Sequence, residues 1–266
     1  MFGEAGSWCV GGAGGHCYPG YVDYGRPDWI HQGYESIAGV KCGTAAAATM
    51  DPAPLPKNRY ISLVPGNAGR KSALRVTLNS LHRPESANGS TPDFSGYEGL
   101  VRYVGPPRRL KEIADGVDRG TFWAAQLRCE PYYTDWGRMD VLHVYGSEII
   151  PSSRYSVQTI LETCDPGEEA NYSPALTVRT TDWGDVYRGA DKDDPDLPPD
   201  MLDVNAVVRN FTNEPGAPIK ASAQLRGRIP NPRVDVDFLD IADAVSAFSG
   251  APYPYSGPDR CPTDTP

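Results

Sequence analysis

Carboxylates crowd one stretch of this chain. Eight Asp lie between Asp182 and Asp203, against only Arg188 and Lys192. Clustered carboxylates suit a hard cation such as calcium, which takes roughly six to eight oxygen ligands. The run ends in Asp200-Met201-Leu202-Asp203-Val204, echoed downstream by Asp237-Phe238-Leu239-Asp240-Ile241. Each pair of aspartates opens a helical pattern. Asp203 and Asp240 therefore have a second reading, as plain helix caps that accept backbone N–H bonds and are favoured by the helix dipole.

Other chemistry is sparse. The histidines are His16, His31, His82 and His143, and no HExxH, GxSxG or P-loop spacing occurs. Glu130 and Asp135, beside Trp136, are the nearest thing to a glycosidase pair, which needs two carboxyls across a cleft. The stretch Cys129 to Trp136 reads more simply as an inter-strand turn holding a buried Trp. None of the six cysteines forms a CxxC pair, which excludes zinc ribbons and thioredoxin-like sites. Wide spacing and an even count point instead to disulfides and an oxidising compartment. The net charge of −9 disfavours nucleic acid. The local basic group Arg102, Arg108, Arg109, Lys111 and Arg119 is interleaved with acids and reads as a solvated loop. No stretch reaches the ~18 apolar residues of a membrane span. Residues 1–20 carry neither a basic nor an apolar leader region, so the chain reads as a fragment of a longer open reading frame.

The elements that must position these residues are mostly strands. With 28 Gly and 26 Pro, the composition favours short strands and turns over long helices. Alternation is clear in Tyr60–Val64, Ala73–Leu78, Thr121–Cys129, Val141–Tyr145, Tyr155–Leu161 and Ala175–Thr180, with Leu74, Val76 and Leu78 on one face. Such spacing predicts a mainly β body, an immunoglobulin-like β-sandwich. The run Ile149-Ile150-Pro151-Ser152-Ser153-Arg154-Tyr155-Ser156-Val157 resembles the signature that precedes the sixth strand of the fibronectin type III family. That resemblance implies a tyrosine corner, in which the Tyr155 hydroxyl ties a crossover to backbone. It spans residues 57–182, with a long insert between 83 and 120. Cys129 and Cys164 sit at the ends of two predicted strands and are the expected bridge.

Beyond Trp183 the period changes. Val204, Val207, Val208 and Phe211 fall at helical spacing, as do Ile241, Ala244, Val245 and Phe248. Two stripes of this kind are expected to bury each other. A twofold repeat of acidic loop and amphipathic helix resembles the type I dockerin family, in the carboxy-terminal modules of large secreted bacterial proteins. The resemblance implies calcium in each loop. Asp203 and Asp240 match the last ligand, and Asp200 and Asp237 the ligand before it. Asp185, Asp191, Asp193 and Asp196 stand in for the family's missing Asp-x-Asn-x-Asp-Gly run in the first loop.

The expected organisation is a loop-rich, Gly- and aromatic-rich segment 1–56, the sandwich 57–182, a small α-helical dockerin-like module 183–256 and a tail 257–266. The expected role is non-catalytic: extracellular or cell-surface adhesion, scaffolding or attachment, through a protein partner or a polysaccharide. A self-assembling subunit of a matrix, filament or surface layer is one alternative, and the accessory end of a secreted hydrolase is another.

Overall fold

The structure is a computed structural model. It describes residues 57–65, 70–81, 94–114, 117–137, 139, 141–187, 198–215, 217–262 and 264, with the backbone of two short strands upstream. The rest of the segment 1–56 lies outside the described residues. The upstream strands, β1 (Trp8–Val10) and β2 (His16–Tyr18), pair antiparallel. The body follows with β3 (Ile61–Leu63), β4 (Ser72–Ser80), β5 (Val101–Val104), β6 (Arg108–Ala114), β7 (Val117–Arg128), β8 (Leu142–Tyr145), β9 (Arg154–Leu161) and β10 (Leu176–Arg179). Three helices close the chain: α1 (Met201–Phe211), the single turn α2 (Lys220–Ala223) and α3 (Phe238–Phe248).

The molecule is mostly β. Strand order is β10-β9-β4-β5-β7-β8-β3, with β6 added beside β7. Long β7 links the two ends of this path. Its first part forms a hairpin with β6, Trp123–Gln126 run parallel to β8, and Leu127–Arg128 pair with β5. Every other pairing in the body is antiparallel.

Period-two alternation builds the core as expected. Leu74, Val76 and Leu78 are fully buried, and across the β4–β9 pair they face Thr159, Val157 and Tyr155. The Tyr155 ring is buried, and its hydroxyl accepts from the Ile150 amide at 2.9 Å while lying 3.0 Å from the Glu148 carbonyl, to which it donates. This is the tie expected of a tyrosine corner. Burial raises its pKa, so the phenol stays a donor. Trp136 is buried and its indole donates to the Ser72 carbonyl at 2.7 Å.

The insert differs from the sequence reading. Arg102, Arg108, Arg109 and Lys111 lie on strands β5 and β6, not in a loop. Arg102 is buried and pairs with Glu148 at 3.0 Å and with Asp264 at 2.7 Å. A buried guanidinium is tolerable only with such partners, and they come from distant parts of the sequence.

The helices share the body's core. One hydrophobic cluster holds Ile61, Leu74 and Val157 together with Val186, Val204, Val207, Leu225, Ala244 and Tyr253. Arg59 fastens the two regions. Buried, it donates to the carbonyls of Leu225, Gly227 and Arg228 at 3.0, 2.8 and 2.8 Å. Its guanidinium carbon lies 5.1 and 5.0 Å from the Tyr253 and Tyr255 ring centroids. Residues beyond 256 are also secured. Asp259 pairs with Arg228 at 2.7 Å, and Asp264 holds Arg102.

The stripes on α1 and α3 are only half buried. Val204, Val207 and Ala244 point inward, but Phe211, Val245 and Phe248 are each 44% exposed. Close approach is the reason. Gly184 has φ of +91°, and a Cβ there would stand 2.4 Å from the Ala247 Cβ. The inward side of α3 admits only small residues, so the large ones face out.

Candidate functional site

The repeated aspartates do one job twice. Asp200 caps α1 and Asp237 caps α3, each accepting an N–H from the first turn at 2.7 Å. Three residues on, Asp203 and Asp240 return the bond to the cap amide, at 2.7 and 2.9 Å, completing two capping boxes. Their second oxygens reach further. Asp203 Oδ1 accepts from the amides of Val186 and Tyr187 at 2.8 and 2.7 Å. Asp240 Oδ1 accepts from Leu225 and Arg226 at 2.8 and 2.7 Å. Each carboxylate thus clamps the loop before its helix to the helix start. Burial pushes the Asp240 carboxyl up, against the backbone bonds that pull it down.

These contacts occupy the oxygens that the dockerin resemblance assigns to calcium. A cation on Asp203 or Asp240 would face backbone hydrogens. Asp185 is buried, and its carbonyl accepts from Asn58 Nδ2 and Thr181 Oγ1 at 3.1 and 3.2 Å. Asp191, Asp193 and Asp196 lie outside the described residues. Among the described residues, no group of three or more His, Cys, Asp or Glu is arranged to hold a metal.

The expected Cys129–Cys164 bridge is corrected. Cys129 pairs with Cys261, Cα to Cα 5.7 Å, across a separation of 132 residues. Cys164 is disulfide-bonded as well. Strand ends were a poor guide because the last segment of the chain folds back over the end of β7, and nothing local signals that return.

Glu130 and Asp135 are each engaged locally. Glu130 is exposed beside Arg128 at 3.4 Å, and Asp135 Oδ1 accepts the Gly137 amide at 3.0 Å within its own turn. Ser62 Oγ lies 2.7 Å from His143 Nδ1, but both are buried, with Phe122 and Tyr60 rings edge-on to the imidazole. Burial and the Lys57 charge hold His143 well below its usual pKa. The Ser62–His143 pair is sealed from solvent within the core.

One surface stands out. Among the described residues, the exposed large hydrophobics are Met201, Leu202, Phe211, Val234, Phe238, Leu239, Val245 and Phe248. All belong to α1, α3 or the approach to α3, and Phe238 is 69% exposed. Phe238, Val245 and Phe248 recur at helical spacing on the outward side of α3, while Ile241 is partly buried against the core. The sequence pattern had assigned Val245 and Phe248 to the core.

No family model, no curated protein and no solved structure matches this chain.

Proposed function

We propose that this chain is a non-catalytic attachment module of an extracellular protein, and that the outward face of α1 and α3 docks a partner protein. The observation that carries the reading is the confinement, among the described residues, of the exposed large hydrophobics to the helical region. Large apolar side chains left exposed together on one region mark protein interaction sites. The partner presents an apolar patch with a basic rim, because Asp200, Glu214 and Asp237 flank α1 and α3 in sequence and the chain carries a net charge of −9. The same charge opposes a second copy of this chain as the occupant.

The wider reading is a fibronectin type III-like sandwich followed by a degenerate dockerin-like helix pair, secreted into an oxidising space. Its supports are the strand neighbours β10-β9-β4-β5 and β3-β8, the Tyr155 hydroxyl tie, the duplicated Asp-x-x-Asp helix starts and the disulfide.

Cross-linking in the secreted fraction of the producing cells tests the docking face. One species should be captured by the native chain, kept by an Arg154→Gln control and lost with Phe238→Ser plus Phe248→Ser, whose melting stays native. The purified chain should scatter light as a monomer. Dimerisation through this face, or a partner kept by the double variant, would overturn the reading.

A further inference from the structure

A groove of about 830 Å³ opens on the opposite kind of chemistry. Its floor is one face of β7. Ala124, Gln126 and Arg128 alternate onto that face, since successive residues of a strand point to opposite sides. Arg108 of β6 sits across from Ala124, and Tyr145 of β8 across from Gln126. The wall is the segment 229–233, which contributes Asn231 and Arg233. That wall is held in place. Gln224 Nε2 donates to the Asn231 carbonyl at 2.7 Å, and the Val234 amide donates to the same carbonyl at 3.1 Å.

Three guanidiniums therefore converge on one concavity of a chain with net charge −9. Arg128 has only a long contact of 3.4 Å to exposed Glu130. Among the described residues, Arg108 and Arg233 have no ion-pair partner. Uncompensated like charges are retained at a cost unless an anion joins them, and a concave site focuses their field. Guanidinium forks match the geometry of carboxylate and sulfate. The groove is of the size that takes a small ligand. It also offers a flat phenol ring and the amides of Gln126 and Asn231, which suit the faces and hydroxyls of sugar rings.

We infer that this groove binds an anionic oligosaccharide, with Arg108, Arg128 and Arg233 on its carboxylate or sulfate groups and Tyr145 against a sugar ring. The site is separate from the helix face and does not depend on it.

Calorimetric titration of the full chain tests this with four probes: an oligogalacturonate, a chondroitin sulfate hexasaccharide, a neutral cello-oligosaccharide and a single-stranded oligonucleotide. The expected result is binding of one or both acidic sugars and none of the other two. Which acidic sugar binds distinguishes carboxylate from sulfate. Arg108→Gln and Arg233→Gln should each weaken binding at least tenfold with native melting curves, while Arg154→Gln, exposed at the start of β9, leaves it unchanged. Failure of both acidic sugars to bind, equal binding of the neutral sugar or the oligonucleotide, or native affinity in the two groove variants overturns the inference.

Discussion

Cys129 and Cys261 are covalently joined across 132 residues, so the end of β7 and the far end of the chain are one structural point. In the chain-entropy account, closing a loop of that length stabilises the fold by about 5 kcal/mol. Cys129→Ala with Cys261→Ala should cost about 3–5 kcal/mol, read from urea unfolding. Peptide mapping under non-reducing conditions should recover the Cys129 peptide with the Cys261 peptide. Recovery with the Cys164 peptide would refute the pairing.

Asp203 and Asp240 should be equivalent under substitution. Replacing either by Asn turns one acceptor oxygen into a donor that faces an N–H. Each change should destabilise by about 1–3 kcal/mol, and both should raise amide exchange in the first turn of the affected helix. Because backbone hydrogens occupy these carboxylates, thermal melting with calcium and with chelator should superimpose. A higher melting temperature with calcium would place a cation here after all.

Acid should weaken the fold in two separate windows. Burial holds the folded His143 well below the ordinary value of 6.5, so it is neutral when folded, whereas the unfolded imidazole titrates near that value. The unfolded state thus binds the extra proton, and stability falls as pH drops below 6.5. His143→Gln should flatten the loss between roughly pH 6.5 and 5 while leaving the acid limb intact. Asp259, Asp264 and Glu169 are held low by Arg228, Arg102 and Arg75. Their contribution is lost only below the ordinary values of 3.8 and 4.5.

Arg102 sits between Glu148 and Asp264, both nearly buried. Arg102→Ala strands two carboxylates and should cost about 3–5 kcal/mol in denaturant unfolding. Arg102→Lys should recover little of it, because an ammonium lacks the fork that reaches Glu148, Asp264 and the Asp259 carbonyl together.

Local signals in the sequence were reliable where the structure is locally determined. Alternation in Ala73–Leu78 marked β4, the Pro151 to Tyr155 spacing marked the hydroxyl tie, and the Asp-x-x-Asp pairs marked helix starts. Signals failed where a residue's partner lies far along the chain. β5 and β6 looked like loop because their basic residues are interleaved with acids, and the acids that admit Arg102 to the core belong to residues 148 and 264. Val245 and Phe248 of the α3 stripe face outward because Gly184 and Ala247 meet too closely for bulk. The groove was illegible for the same reason: Arg108 and Arg233 are neighbours only after folding.

The fastening of residues 259–264 has a consequence for biosynthesis. Strands β5 and β7 leave the ribosome early, yet Arg102 has no Asp264 and Cys129 no Cys261 until more than a hundred further residues have been made. During that interval a guanidinium with only part of its partners and a reactive thiol wait on an unfinished sheet. A product cut short before Asp259 keeps both exposed, a handle by which quality control can tell it from one that carries residues 259–264.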